Sequence, residues 1–384
     1  MTRIILGILF VLSVLTLLAC EPSSAPQDDA IRLLEGAALD TSEHVLWLGR
    51  SYYDDATSTR HITHATGGFS VTFSGTRLTM TMVATQTHDT SRRPYFTVVI
   101  NDPSLDEGRV FSLDTPTSTV VLAEGLPEGT HTVTLYKRSE SQDATTALKQ
   151  LETDGTFLKP ARTHALNILA LGGSGMSGNG VFGAAGIART TENSSALHAF
   201  AFQTALALDA HMHLVAGSGF GLKWGYNPGG QTGTVNIRNA FDVMGINEDR
   251  SLSLKPFAPM AFIPDVILFN LGGNDFSAYV LTRSGQERLD AEDAFQEAVI
   301  EIITTMRTLY PEAIMFWTHT GSLNGTLAAN VIADLDPLKT FIEVVVIHSP
   351  GAFGDPVGSG NHAGEQTHAR NAALLVERMR DRLD

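Results

Sequence analysis

Between residues 45 and 157, apolar and polar positions alternate in short runs, as they do in strands that bury one face. The runs are rich in β-branched and aromatic residues, and Gly, Pro, Asp or Asn separates them. The predicted strands are Val45–Leu48, Phe69–Phe73, Leu78–Val83, Tyr95–Ile100, Val120–Leu122 and Thr132–Tyr136. Many short strands between turn signals favour an all-β sandwich or jelly roll, which we place at residues 41–160.

After Lys159-Pro160 the pattern changes to continuous apolar runs that alternate with segments of helical period. The predicted strands are Leu166–Leu171, Leu214–Ala216, Val266–Leu271, Ile314–Trp317 and Val344–Ile347. The predicted helices are Ser194–Asp209, Ala291–Leu309 and Glu365–Leu383. Uninterrupted apolar strands are typical of a sheet that helices cover on both faces. Residues 161–384 are therefore predicted to form an α/β domain with a mainly parallel sheet.

The N-terminus carries a different signal. One basic residue, Arg3, precedes an apolar run from Ile4 to Ala19 that is short for a membrane-spanning helix. This pattern is typical of a signal peptide, which we assign to residues 1–19. Leu17-Leu18-Ala19-Cys20 also resembles the bacterial lipobox, in which the cysteine is acylated and becomes the mature N-terminus.

The resemblance to a lipobox implies an exported lipoprotein whose only contact with a membrane is the lipid on Cys20. Glu21 follows the cysteine, in place of the Asp that is associated with retention in the inner membrane. In a Gram-negative host the resemblance therefore implies the outer membrane, at its periplasmic face or at the cell surface. Residues 20–40 are expected to form the acylated cysteine and a flexible tether, since Glu21 to Asp29 contains Pro, Ser, Gln and Asp with little apolar residue.

The charge balance and the cysteine count exclude several classes of function. With 26 Lys+Arg against 41 Asp+Glu, the chain of 384 residues has a formal net charge of −15. It lacks the basic field that nucleic-acid binding needs, so no nucleic-acid partner is expected. A single cysteine cannot form an internal disulfide or a cysteine-built zinc or iron–sulfur site.

A glycine-rich turn after the first α/β strand is the most informative segment. Gly173 to Gly178 matches G-x-G-x-x-G, the pattern of a dinucleotide site that opens a helix. Here further glycines follow at Gly180, Gly183 and Gly186, which disfavours a helix at this point. The alternative is that Ser174 is a nucleophile, because ligands bind at the carboxyl ends of strands in such sheets.

A serine nucleophile needs a base and donors for the oxyanion, and later blocks of the chain supply candidates. Gly217 to Gly221 follows the second strand, Asn274 follows the next clear strand, and His362 precedes the last helix. Each block alone is more often a turn, a helix cap or a surface histidine. Together, the order Ser, Gly, Asn, His resembles that of the SGNH (GDSL-type) hydrolases.

Further motifs resemble carbohydrate esterase family two more closely. They are Gly49-Arg50, His131-Thr132-Val133, Lys137-Arg138-Ser139-Glu140, Glu192-Asn193, Gly217-Ser218-Gly219-Phe220-Gly221, Leu271-Gly272-Gly273-Asn274-Asp275-Phe276, and His362 with His368. The resemblance covers nearly the whole mature chain. It implies a jelly roll joined to a flavodoxin-like SGNH-hydrolase domain, and an esterase that removes acetyl groups from plant-wall polysaccharides and other sugars.

The resemblance also implies roles for individual residues. Ser174 would be the nucleophile, and His362 would be the base that later protonates the leaving sugar hydroxyl. The backbone N–H groups of Ser174 and Gly219 and the side chain of Asn274 would form the oxyanion hole. The expected partner is an acetylated oligo- or polysaccharide, and neither a metal nor an organic cofactor is needed.

The chain departs from the family pattern at three positions. Gly173 stands where the family has the Asp of Gly-Asp-Ser, Gly360 where an Asp is expected two residues before the histidine, and Ala363 where a Pro follows it. We therefore expect a Ser-His dyad in which a backbone carbonyl orients the imidazole. Asp355 is a candidate third member of a triad.

Two aromatic residues and two rival functions complete the expectations. Trp224 and Tyr226 follow the Gly219 block and are candidates for a wall on which a sugar stacks, although core packing explains them equally well. The loss of both acidic residues leaves open a weak or inactive esterase that only binds saccharide. The breadth of the superfamily leaves open an SGNH lipase or thioesterase.

Overall fold

The computed structural model describes residues 30–101, 104–105, 107–160, 164–227 and 231–383. The predicted signal peptide, Cys20 and the first part of the expected tether lie outside these residues. Among the described residues, no helix is both long and apolar enough to span a membrane.

The N-terminal part is an antiparallel β-sandwich. Its strands are β1 Leu33–Glu35, β2 Leu46–Leu48, β3 Ser51–Asp54, β4 Thr59–Ile62, β5 Gly68–Ser74, β6 Leu78–Ala84, β7 Tyr95–Ile100, β8 Arg109–Ser112, β9 Thr117–Ala123, β10 Thr130–Lys137, β11 Thr146–Thr153 and β12 Thr156–Leu158. One sheet has the order β3-β4-β11-β6-β9, with β1 also paired to β11. The other has the order β12-β5-β10-β7-β8, with β2 also paired to β5. Fully buried side chains such as Phe69, Phe73 and Phe96 fill the space between the sheets.

The tether predicted for residues 20–40 is too long at its C-terminal end. Leu33–Glu35 pairs with β11, and a 3₁₀ turn follows at Gly36–Asp40. Leu34 and Leu39 have exposed fractions of 1% and 0% because both side chains enter the sandwich core. Residues 33–40 are therefore part of the sandwich and not of the tether.

The C-terminal part is an α/β domain. Its elements are β13 Leu166–Gly172, α1 Phe200–Ala207, β14 Ala210–Ala216, β15 Gly225–Asn227, β16 Gln231–Gly233, α2 Ile237–Ala240, β17 Val266–Asn270, α3 Gly273–Ala278, α4 Gly285–Leu309, β18 Ile314–His319, α5 Leu323–Leu335, β19 Ile342–Val346 and α6 Glu365–Leu383. Five strands form a parallel sheet with the order β14-β13-β17-β18-β19. In order of appearance along the chain this is 2-1-3-4-5, the flavodoxin-like arrangement.

Both faces of the parallel sheet are covered, as the apolar runs predicted. In β13, Ile168 and Ala170 pack with α1 and α6, while Leu169 and Leu171 pack with α4 and α5 on the other face. Successive side chains of a strand point to opposite faces, so a strand buried on both sides must be apolar throughout. All five predicted α/β strands are present. Helix α1 is shorter than predicted, and α5, with its modest apolar pattern, was missed.

The sandwich and the parallel sheet share an interface. Tyr136 of β10 packs edge-on against Phe202 of α1, with ring centroids 5.3 Å apart. The guanidinium of Arg50 donates to the backbone oxygens of Phe241 and Val243 at 2.6 Å each and lies 4.0 Å from the centroid of the Phe257 ring. The loop after β10, residues 138–143, is also buried against the α/β domain.

Candidate active site

Three neighbouring strands bring the predicted serine, glycine and asparagine together. β13 lies between β14 and β17, and Ser174, Gly219 and Asn274 follow the carboxyl ends of these three strands. The strand order reverses at β13, so a crevice opens there. Gly219 and Asn274 are 45 and 100 positions further along the chain than Ser174, yet the sheet makes the strands that precede them neighbours.

Ser174 contacts the predicted base directly. Its Oγ lies 2.7 Å from Nε2 of His362, and both side chains are half-buried. The turn that carries Ser174 is closed by backbone hydrogen bonds from Met176 and Ser177 to the oxygen of Gly173, at 3.1 and 3.3 Å. The arrangement gives a hydroxyl within hydrogen-bonding reach of an imidazole nitrogen.

A backbone carbonyl orients the imidazole. Nδ1 of His362 lies 3.1 Å from the carbonyl oxygen of Ser359. A carbonyl can only accept a hydrogen bond, so Nδ1 carries the proton and Nε2 presents its lone pair to Ser174. Gly360 makes this turn with a φ of +62°, a conformation that glycine adopts without strain.

Asp355 does not complete a triad in this structure. Its buried carboxylate accepts hydrogen bonds from Thr367 Oγ1 at 3.2 Å and from Arg370 Nε at 3.1 Å. Both donors belong to α6, so Asp355 fastens the loop before His362 to the helix that follows it. The sequence around Asp355 does not indicate that α6 offers it two donors.

The predicted oxyanion donors Gly219 and Asn274 follow the two strands that flank the strand of the serine. The side-chain amide of Asn274 donates to the backbone oxygen of Phe220 at 2.7 Å, which uses one of its two hydrogens. Gly219 has a φ of +84°, and a Cβ at this position would lie 2.1 Å from the oxygen of Tyr226. Among the described residues, none accepts a hydrogen bond from the backbone N–H of Ser174 or of Gly219. Both N–H groups therefore remain available to a ligand.

A cleft of about 270 Å³ opens beside Ser174. Its described lining contains Ser174 and Asn274 but no Asp, Glu, Lys or Arg. The other polar side chains that line it are Asn270, Ser277, Thr318, His319, Thr320, Ser322 and Asn324. The cleft is thus polar and carries no full charge.

His319 is a cleft residue that the sequence analysis missed. Its Nδ1 accepts the backbone N–H of Gly321 at 3.0 Å, which leaves the proton on Nε2. Burial lowers the pKa of this imidazole, so the neutral form predominates. Gly325 lies beneath the ring, and a Cβ there would be 2.2 Å from Nδ1. The position of His319 at the end of a predicted strand, like that of Ser174 and Asn274, is the signal that could have identified it.

Trp224 and Tyr226 are not part of the described cleft lining. The Trp224 ring stacks on Tyr279, with centroids 4.2 Å apart and planes 11° from parallel, and it packs against the α/β core. Tyr226 lies in the short strand β15, where its backbone N–H donates to the oxygen of Gly219 at 2.7 Å. Trp224 therefore has the packing role that was the alternative to a sugar-stacking wall.

Comparisons with known proteins bear on the whole chain. The family model of the carbohydrate esterase 2 N-terminal domain matches residues 47–161. The acetylxylan esterase / glucomannan deacetylase of Cellvibrio japonicus is 26% identical over 355 residues, which span 89% of both chains. Both matches support a carbohydrate esterase family 2 protein. The sequence-based expectations of this family, and of an ester hydrolase that acts on carbohydrate, are confirmed.

Solved structures of the family share the fold. The acetyl xylan esterase of the rumen bacterium Butyrivibrio proteoclasticus has a TM-score of 0.78 at 19% identity, covering 92% of this chain and 99% of that chain. A family two carbohydrate esterase from Clostridium thermocellum, in complex with cellohexaose, has a TM-score of 0.75 at 22% identity, covering 88% and 99%. The predicted combination of a jelly roll with a flavodoxin-like domain is confirmed.

Proposed function

We propose that this carbohydrate esterase removes O-acetyl groups from oligo- or polysaccharides, with Ser174 and His362 as a catalytic dyad. The observation that carries the proposal is the pair of contacts at His362, 2.7 Å from Ser174 Oγ and 3.1 Å from the Ser359 oxygen. His362 Nε2 takes the proton as Ser174 Oγ attacks the acetyl carbonyl, and then delivers it to the departing sugar hydroxyl. Water hydrolyses the acetyl-serine in a second step with the same base.

The tetrahedral intermediates place a negative charge on the former carbonyl oxygen. The N–H groups of Ser174 and Gly219 and the free amide hydrogen of Asn274 are the donors proposed to stabilise it. Such donors are most effective when they are held in place before the reaction. Asn274 is held by its bond to the oxygen of Phe220, and Gly219 by its left-handed backbone.

The composition of the cleft supports a sugar ester as the substrate. Amides, hydroxyls and the neutral imidazole of His319 can exchange hydrogen bonds with sugar hydroxyls, and no described lining residue would repel or select a charged group. A long acyl chain would instead need a continuous apolar channel. This favours the acetyl esterase over the lipase or thioesterase alternative. The acetylxylan esterase relatives support the same substrate class.

We further propose that the protein is tethered to the outer membrane by a lipid on Cys20. The support is the position of the only cysteine directly after an apolar run. A Cys20→Ser variant should no longer incorporate labelled palmitate in cells and should leave the membrane fraction. Incorporation of label into the Cys20→Ser variant would contradict the anchor.

The proposed esterase activity is tested with Ser174→Ala. The purified chain should release acetate from 4-nitrophenyl acetate and from acetylated xylo-oligosaccharides, and Ser174→Ala should reduce both rates to background. Ser251→Ala, on an exposed turn, is the matched control and should retain the rate of the unchanged chain. Full activity of Ser174→Ala would overturn the proposal, and a preference for long-chain esters would favour a lipase.

The non-catalytic alternative, a lipoprotein that only binds saccharide, is tested with a fluorophosphonate probe. An activated serine reacts with this probe, whereas an ordinary serine does not. Labelling of the unchanged chain but not of Ser174→Ala is expected. An unlabelled chain that still binds xylo-oligosaccharide would support the alternative.

A further inference from the structure

Glu140 is a buried carboxylate that the reaction itself does not use. It lies in the loop after β10, belongs to the sandwich, and has an exposed fraction of only 2%. Burying a carboxylate costs several kcal/mol unless hydrogen bonds and opposite charges compensate for the lost water. The groups that compensate Glu140 lie beside Ser174 and Gly219.

Each oxygen of the Glu140 carboxylate accepts two hydrogen bonds. Oε1 accepts the hydroxyls of Ser177 at 2.5 Å and of Ser218 at 2.8 Å. Oε2 accepts the backbone N–H of Ser218 at 3.0 Å and the side-chain amide of Gln142 at 2.9 Å. Arg189 adds a positive charge 3.9 Å from Oε2 while it pairs with Asp143.

Two of these donors flank the catalytic groups. Ser177 is three residues after Ser174, and its hydroxyl lies 3.1 Å from the backbone oxygen of Ser174. Ser218 directly precedes Gly219, the predicted oxyanion donor. A single carboxylate of the sandwich therefore holds the turn of the nucleophile and the loop of the oxyanion donor at a fixed separation.

The peptide bond between Ser218 and Gly219 is held by two hydrogen bonds to its carbonyl oxygen. Its carbonyl oxygen, on Ser218, accepts hydrogen bonds from Gln142 Nε2 at 3.0 Å and from Arg250 Nη2 at 2.7 Å. In a trans peptide the N–H points opposite to the C=O. The Gly219 N–H is therefore directed away from Gln142 and Arg250, and a flip of this peptide would break both bonds.

We propose that Glu140, with Gln142, is a positioning residue for the oxyanion hole, supplied to the active site by the β-sandwich. It fixes the Ser218–Gly219 peptide so that the Gly219 N–H faces the cleft, and it holds the Ser174 turn against the same loop. The inference rests on the proposed function, because it assigns Glu140 to the same ester hydrolysis. The chain has Gly173 where the family has an Asp, and Glu140 supports the turn of Ser174 from the sandwich instead.

The test compares Glu140→Gln with Asp336→Asn in the full chain. Asp336 is a matched control because it has an exposed fraction of 5% and accepts four hydrogen bonds, three from the backbone of residues 340–342 and one from Thr340 Oγ1. It precedes β19 and lies at the opposite end of the sheet strands from Ser174. Each variant removes one acceptor charge and keeps the size of the side chain.

Glu140→Gln should lower kcat on 4-nitrophenyl acetate by about 10- to 100-fold and change KM by less than about 3-fold. This loss of kcat is smaller than the loss expected when a whole oxyanion donor is removed. Asp336→Asn should lower the melting temperature and leave kcat unchanged. A kcat for Glu140→Gln within about 3-fold of the unchanged chain, or an equal kcat loss in Asp336→Asn, would overturn the inference. Should Glu140→Gln not fold, Gln142→Ala and Ser177→Ala replace it, with an expected kcat loss of about 3- to 10-fold each.

A double-mutant cycle separates positioning from general packing. Ser218→Ala removes one hydroxyl donor to Glu140, so its effect on kcat should be present in the unchanged chain and largely absent in Glu140→Gln. Full additivity of the two substitutions would contradict the inference. Failure of the proposed function has a different signature, because Ser174→Ala would then retain its activity whatever Glu140 does.

Discussion

In the proposed active site, the base side and the oxyanion side are held by different parts of the molecule. On the base side, residues 351–364 carry His362 and are fastened within the α/β domain, through Asp355 to α6 and through Ser359 to Gly180. On the oxyanion side, residues 217–227 carry Gly219 and are fastened to the sandwich through Glu140 and Gln142. The α/β domain alone therefore contains the proposed reacting groups but lacks the hydrogen bonds that Glu140 and Gln142 make to the oxyanion side.

The two sides also differ in the kind of group that fixes the catalytic atom. A backbone carbonyl orients the imidazole, which needs no ionised partner, so Gly360 can stand where the family has an Asp. A buried carboxylate with four donors holds the oxyanion loop, where the direction of one N–H must be kept. The imidazole ring is thus oriented by a neutral backbone carbonyl, whereas the peptide of the oxyanion loop is held by a buried carboxylate.

The largest expected effect is on the base side. His362→Ala should lower kcat on 4-nitrophenyl acetate by on the order of 10⁴-fold or more, because Ser174 then has no proton acceptor. Imidazole added to the buffer should restore part of the rate. His88→Ala, on an exposed loop, is the control and should leave kcat unchanged. A loss below about 10-fold in His362→Ala would remove His362 from the mechanism.

The next effect is on the oxyanion side. Asn274→Ala should lower kcat by about 10²- to 10³-fold with little change in KM, since its amide hydrogen bonds the oxyanion more strongly than the ground-state carbonyl. Steady-state kinetics with the same ester measures both constants. If KM rose and kcat stayed constant, Asn274 would be a substrate-binding residue instead.

As the pH falls, the base side should lose its contribution to the free energy of unfolding before the oxyanion side does. Burial, with the charges of His362 and His198, lowers the pKa of His368 to about 4, whereas the unfolded chain has the ordinary value near 6.5. Between these values the unfolded state binds more protons, so this contribution to stability is present above about pH 6.5 and is lost as the pH falls toward 4. Burial raises the pKa of Glu140, but Arg189 and the hydrogen bonds from Ser177 and Ser218 outweigh it and lower the pKa, so its contribution is lost only at more acidic pH.

Urea unfolding at a series of pH values tests this order. His368→Gln should make the decline in unfolding free energy between pH 6.5 and 4 shallower, by on the order of 3 kcal/mol at most. His88→Gln, which replaces an exposed histidine, should leave the slope unchanged. If His368→Gln left the slope of unfolding free energy against pH unaltered, other groups would cause the loss of stability at acidic pH.

The smallest effect on activity is expected for Asp355→Asn. The carboxylate binds Thr367 and Arg370, so its loss should reduce stability by about 1–3 kcal/mol and change kcat by less than about 3-fold. Glu343→Gln, which breaks a similar pair with Arg378 on the same helix, is the control for stability. A kcat loss near the 10⁴-fold seen when a triad acid is replaced would restore Asp355 to the mechanism.

The proposed catalytic residues could be singled out from the sequence because each lies directly after a recognisable strand or before a recognisable helix. Ser174, Gly219, Asn274 and His362 all have this position, and the structure brings them to one edge of the sheet. His319 shares the position but has no motif around it, so only the shape of the cleft revealed it. The sandwich strands β3, β4, β8, β11 and β12 were missed because their apolar alternation is weak and pairing with neighbours stabilises them.

Local pattern determines much of this protein. The period of apolar positions distinguishes the two domains, and the order of the serine, glycine, asparagine and histidine blocks resembles that of the SGNH hydrolases. Contacts between residues far apart in the chain cannot be predicted from that local pattern. The hydrogen bond of the Ser359 carbonyl to His362, the attachment of Asp355 to α6, and the contact of Glu140 with Ser218, 78 residues away, depend on how the loops pack. Water can satisfy an exposed polar group at any position, but burial removes that water. Three-dimensional packing therefore decides which donors a buried polar group meets.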